Sequence, residues 1–184
     1  ITTTAHVTAI HNIKSTKKYT LEQIKQNIKE NNVRCADPVI AEKMEEEILK
    51  YKKEGNSVGG IVEIIIDNLP IGLGQPVFDK IDGDLAKALM NIGAVKGVEV
   101  GLGFESATLT GKEMNDQYYL DDDQIKTKTN NSGGVLGGMT NGMPLILRIA
   151  VKPTPSVNGI QDTVNLEYRK ETTIEIEGRH DPCI

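Results

Sequence analysis

Tryptophan is absent from this chain, and only two Phe and five Tyr occur among its 184 residues. Burial must therefore rest on aliphatic side chains, and Ile and Val do cluster in short runs suited to strands. Cysteine is almost as scarce, with Cys35 and Cys183 alone. Two thiols make neither a disulfide scaffold nor a complete thiolate metal site, so no metal is expected and both read as free thiols in a reducing compartment. No run of about 18 apolar residues is present to span a bilayer, and no charged-then-apolar leader opens the sequence. A cytoplasmic protein without a membrane partner is expected. A basic excess is missing as well: the formal charge is −5. Nucleic acid is thus not an expected partner, because its phosphates need a basic face. A small anionic ligand remains compatible, since a pocket's local charge can oppose the net sign.

What is present suits one soluble core, with 38% hydrophobic and 26% charged residues. Both ends read as cut, because the chain opens at Ile1 inside a strand-like stretch and stops at Arg179-His180-Asp181-Pro182-Cys183-Ile184 without a terminating element. The expected organisation is a single partial domain over residues 1–184, truncated at both ends. Residues 2–10 read as a strand, and Thr20 with Gln23 has capping-box spacing for a helix over about 21–31. Asp37 and Pro38 open a second helix, about 38–53, with Ile40, Met44 and Ile48 on its buried stripe. The run Ile61-Val62-Glu63-Ile64-Ile65-Ile66 predicts a central strand apolar on both faces. A third helix is expected at about 82–92, ended by Gly93, and a strand at 95–100. Ala107-Thr108-Leu109 reads as a short strand, and Asp121 to Asn131 as a mobile excursion. Pro144 to Val151 is a largely apolar run, and 172–177 alternates as a last strand. The fold class expected is α+β, with mostly antiparallel sheets packed with helices.

Chemistry concentrates in three places. The stretch Asn130 to Gly142 holds two glycine pairs, Gly133-Gly134 and Gly137-Gly138, which let backbone N–H groups approach a ligand closely. Alone, such a loop reads first as a turn. Lys152-Pro153-Thr154-Pro155-Ser156 combines a cation, two hydroxyls and two rigid prolines, an arrangement suited to an anion and equally to a stiffened surface loop. Arg179, His180 and Asp181 place a planar anion binder, a group titrating near neutrality and a carboxylate side by side.

These segments, taken with Asp79 to Met90 and Gly93 to Glu99, resemble the chorismate synthases in the same order along the chain. The resemblance implies trans-elimination of phosphate from 5-enolpyruvylshikimate 3-phosphate to give chorismate in the shikimate pathway, with reduced FMN as cofactor. NADPH is the reductant where a bifunctional enzyme reduces its own flavin. It further implies a homotetramer. Carried over residue by residue, Gly93, Ala94 and Gly137 are flavin contacts. Lys152, Pro153, Thr154, Pro155 and Ser156 match the phosphate and ribityl segment, and Arg179 a flavin-site arginine. Asp181 matches a carboxylate that relays a proton near the flavin. Gly93 stands where the family often has Asn, and Pro155 where Ser is common. The family's two catalytic histidines, in Ser-His-Gly and Pro-Gly-His contexts, have no counterpart: the histidines here are His6, His11 and His180. The chain alone is therefore expected to be inactive. The alternative is a non-catalytic phosphorylated-ligand-binding or assembly module of the same fold.

Overall fold

The computed structural model describes residues 1–178 and 181–183. The chain begins with β1 (Thr2–Ile10), β2 (Ile13–Lys14), α1 (Leu21–Asn27), α2 (Pro38–Lys53), β3 (Gly60–Asp67), α3 (Ile81–Met90) and β4 (Val95–Val100). A 3-10 helix at Gly103–Thr108 and the short α4 (Gly111–Met114) lead to β5 (Tyr118–Asp121) and β6 (Gln124–Thr127). Then come β7 (Val135–Leu136), β8 (Met139–Thr140), β9 (Leu145–Val151), β10 (Gly159–Asn165) and β11 (Lys170–Ile176). One five-stranded sheet has the order β2-β1-β3-β9-β4. Three antiparallel hairpins, β5-β6, β7-β8 and β10-β11, are separate from it. The architecture is α+β. No helix among the described residues is long and apolar enough to cross a membrane, and none of their His, Cys, Asp and Glu side chains form a group of three able to hold a metal ion.

Two compact units interleave in sequence: Ile1–Val7 with Ile61–Ala150, and Thr8–Gly60 with Val151–Ile184. In the first, β9 alternates as its sequence demands, burying Leu145, Leu147 and Ile149. A ladder of polar and charged side chains crosses the other face. His6 Nε2 lies 3.1 Å from Glu63 Oε1, Arg148 Nη1 is 3.7 Å from Glu63 Oε2, and Arg148 Nε donates to Glu99 Oε2 at 3.0 Å. These residues follow the strand order β1-β3-β9-β4, so Arg148 has a carboxylate on the strand to either side and Glu63 also meets His6. β3 carries Glu63 here, which explains why it is only partly apolar on this face.

In the second unit the helix signals act as read. Asp37 Oδ1 accepts from Ile40 N at 3.3 Å and caps α2, whose bounds match those expected. The helix buries Ala41 and Met44, while Ile40 and Ile48 are half-buried. α1 has the expected capping box but stops at Asn27, short of residue 31. Asn31 Nδ2 takes the Asn27 carbonyl at 3.1 Å, so a side chain occupies the acceptor that the next turn of helix needs. Cys35 is fully buried and free, and burial pushes its thiol pKa up.

Two expectations need correction, and one strand went unread. Residues 103–108 form a 3-10 helix rather than a strand at 107–109, because Ser106 Oγ and Thr108 Oγ1 donate back to the carbonyls of Gly103 and Glu105. Part of the supposed excursion is the ordered β5-β6 hairpin. Its turn residues Asp122 and Asp123 both have positive φ, 43° and 64°, as a two-residue type I′ turn requires. β10 pairs with β11 along seven residue pairs but was hidden by the polar sequence Gln-Asp-Thr. Asn165 Oδ1 accepts from both Glu167 N and Tyr168 N, each at 3.0 Å, and shapes that turn.

Candidate functional site

In the second unit, the tripeptide Ser57-Val58-Gly59 holds two segments together. Ser57 Oγ donates to the Thr154 carbonyl at 2.6 Å, and Val58 N donates to the Pro182 carbonyl at 2.8 Å. Gly59 permits the approach, since a Cβ there would meet the Val151 oxygen at 2.5 Å and Pro153 Cδ at 3.0 Å. Lys152–Ser156 and Asp181–Cys183 are thus brought to one place by residues some hundred positions earlier. Ser57 and Val58 are both buried. Gln161 Nε2 adds a hold on the Pro155 carbonyl at 3.0 Å. Lys152 and Thr154 are half-buried, Pro153, Pro155, Ser156 and Asp181 exposed. Lys152 enters no ion pair among the described residues. Arg179 and His180 lie outside the described residues.

In the first unit, Gly137 and Gly138 form the two-residue turn between β7 and β8, with φ of 60° and 84°. The Gly138 carbonyl accepts from Ile81 N at 3.0 Å and so caps α3, whose N-cap Lys80 makes no side-chain cap bond. A Cβ on Gly138 would meet Lys80 Cγ at 2.5 Å, whereas one on Gly137 would meet nothing within 4 Å. Gly137 presents bare backbone to open space, a shape that fits a ligand resting on the turn.

The approach to this turn is stiffened by side chains. Asn130 Oδ1 accepts from Gly134 N at 2.7 Å while its Nδ2 donates to the Pro144 carbonyl at 2.8 Å. Asp116 accepts from Thr129 Oγ1, Asn131 N and Ser132 N at 2.6, 2.7 and 2.9 Å. Thr140 Oγ1 donates to the Pro70 carbonyl and accepts from Leu73 N.

Gly93 and Ala94 follow α3. Gly93 is exposed, and Ala94 holds φ of 67°, a left-handed conformation that costs a non-glycine residue about 1 kcal/mol. Since Gly138 sits at the start of α3 and Gly93 beyond its end, the helix separates the two glycine sites by about 15 Å.

Neither described histidine is placed as a free acid. His6 pairs with Glu63, and His11 Nδ1 lies 2.7 Å from Glu47 Oε1 on the surface. Ser57, Gly59 and Asp116 were missed by sequence reasoning. A Ser followed by a glycine pair just before an apolar strand was the available signal for the first two. Nothing local marks Asp116, whose partners lie 13 to 16 residues ahead.

Within the second unit, the half-buried Lys152 and Thr154 with the neighbouring Ser156 hydroxyl make one segment a candidate binder of a phosphorylated ligand. Comparison with known proteins is more specific. The sequence profile of the chorismate synthase family matches residues 1–184, and the chain belongs to that family. It is 75% identical to the chorismate synthase of Methanosphaera stadtmanae over 184 residues, all of this chain and 50% of that one. Against the Methanobrevibacter smithii chorismate synthase the identity is 56% over 163 residues, covering 89% of this chain and 45% of that one. A solved structure described as the crystal structure of chorismate synthase superposes with a TM-score of 0.76 at 33% identity, over 82% of this chain and 49% of that one. The chain spans about half the length of the relatives it matches.

Proposed function

We propose that the complete protein containing this chain is a chorismate synthase, eliminating phosphate from 5-enolpyruvylshikimate 3-phosphate with reduced FMN as cofactor. It would serve aromatic amino-acid biosynthesis through the shikimate pathway, as a cytoplasmic homotetramer. The observation that carries this reading is the meeting of two family-matched segments, Lys152–Ser156 and Asp181–Cys183, on Ser57-Val58.

Reduced flavin, when bound, would supply the transient electron donation that the elimination needs. The chain's own residues bind and orient. Lys152 holds the cofactor phosphate by charge, and Thr154 and Ser156 offer hydroxyl donors. Pro153 and Pro155 fix the backbone beforehand, which lowers the ordering cost of binding. Gly137, Gly93 and Ala94 offer backbone to the cofactor, Arg179 adds a second cation, and Asp181 offers a carboxylate for proton relay. Proton donation to the leaving phosphate falls to the histidine motifs, which these 184 residues do not contain. That gap favours, for the chain alone, ligand binding without turnover. All 184 residues are accordingly proposed to be one part of a larger catalytic domain.

Titration of the complete protein with FMN and with riboflavin tests the assignment. FMN should bind at least about tenfold tighter, the difference of a charge-assisted phosphate contact, and Lys152→Ala should remove most of that preference. Equal affinity for both flavins, unchanged by the substitution, would refute it.

A further inference from the structure

Among the described residues the hydroxyl of Ser57 makes one hydrogen bond, and its target is main chain. Ser57 Oγ lies 2.6 Å from the Thr154 carbonyl, at the middle of Lys152-Pro153-Thr154-Pro155-Ser156. The side chain is buried, with Ser57 only 8% exposed, so it is not available to a ligand. Burying a hydroxyl without a partner is costly, and here the partner is one carbonyl of a segment otherwise short of donors. Pro153 and Pro155 on either side have no N–H to give. They leave the segment unable to join a ladder of backbone hydrogen bonds, so its position must be set from outside. Two further neighbours of Ser57 act on the same place. Its own N–H donates to Asn56 Oδ1 at 2.8 Å, which satisfies the buried amide, and Gly59 lets Val151 and Pro153 approach the backbone.

We infer that Ser57 is a positioning residue for the anion-binding segment, setting the place of Lys152 and of the Thr154 and Ser156 hydroxyls through the Thr154 carbonyl without touching ligand itself. Because the prolines stiffen the segment, the buried hold on the Thr154 carbonyl, with the Gln161 hold on the exposed Pro155 beside it, orients all five residues. Losing that hold lets the Lys152 ammonium and the hydroxyls spread over several arrangements, and binding must then meet the cost of ordering them. The effect falls on the phosphate end of the ligand. The inference rests on the reading of Lys152–Ser156 as a phosphate-binding segment.

The test uses the complete protein, with FMN and riboflavin as probes. Ser57→Ala should weaken FMN about fivefold to tenfold, as for one lost hydrogen bond, and leave riboflavin affinity within about twofold. Ser57→Thr, which keeps the hydroxyl, should restore most of the FMN affinity. A double-mutant cycle provides the readout that a general loss of stability would not move: Ser57→Ala and Lys152→Ala should be strongly non-additive, because the serine acts through the segment that carries the lysine. Should Ser57→Ala destabilise the protein, riboflavin binding reports the folded fraction and corrects for it. FMN affinity unchanged in Ser57→Ala overturns the inference, as does equal weakening of both flavins or full additivity with Lys152→Ala. If wild type fails to prefer FMN over riboflavin, it is the phosphate reading that fails instead.

Discussion

Asp116 accepts the amide proton of Ser132 at 2.9 Å through one carboxylate oxygen, while the other takes the Asn131 N–H at 2.7 Å and the Thr129 hydroxyl at 2.6 Å. One side chain thereby fixes the entry to the glycine-rich stretch. Partial burial pushes the Asp116 carboxyl up, but the hydrogen bonds from Thr129, Ser132 and Asn131 outweigh it and hold the pKa below the ordinary value. A carboxyl depressed in the folded state stabilises above its unfolded pKa of about 3.9 and loses that contribution as pH falls through the folded value. Asp116→Ala should therefore cost about 2 kcal/mol at pH 7, and the gap to wild type should close as pH falls below about 4. Denaturant unfolding across that range checks this. A gap that is constant with pH would show that the charge is not what holds the loop.

Two glycines near the loop should respond differently to a methyl group. A Cβ on Gly101 would meet Gly133 N at 2.5 Å and Ser132 C at 2.6 Å, both backbone, and Gly101 also has φ of 59°. Gly101→Ala should cost about 3 kcal/mol. At Gly137 the space is open, so Gly137→Ala should cost only about 1 kcal/mol for the left-handed backbone, while weakening FMN. Thermal unfolding and flavin titration of both variants separate the two effects.

The charged ladder gives a third prediction. Arg148 stands between Glu63 and Glu99, with all three side chains about a quarter exposed. Arg148→Met leaves two carboxylates facing each other across β9 and should cost about 2 kcal/mol, between the values for surface and buried pairs. Adding Glu63→Gln should recover part of that loss. No recovery, measured by denaturant unfolding, would mean that Arg148 acts through packing alone.

The sequence was most legible where a local rule operates alone. Asp37-Pro38 set the start of α2 and the Thr20/Gln23 box that of α1, because caps are interactions between near neighbours. Legibility failed where a side chain competes with backbone at a distance set by folding. Asn31 ends α1 early, and Ser106 and Thr108 turn an apparent strand into 3-10 helix. The candidate site divides in the same way. Lys152–Ser156 and Gly137 were visible as residue types suited to a ligand, whereas Ser57 was not, since its partner Thr154 lies 97 residues on. Pairing across such a span leaves no periodic trace in either segment.

If this chain is part of an enzyme as proposed, phosphate is eliminated only with reduced flavin. The most direct test of that proposal is an anaerobic assay of the complete protein with 5-enolpyruvylshikimate 3-phosphate, following chorismate and inorganic phosphate together. Chorismate and phosphate should form in equal amounts with reduced FMN, fail to form with oxidised FMN, and be greatly slowed in Lys152→Ala at limiting flavin. Absence of chorismate with the complete protein and reduced FMN, or equal turnover without flavin, would contradict the account.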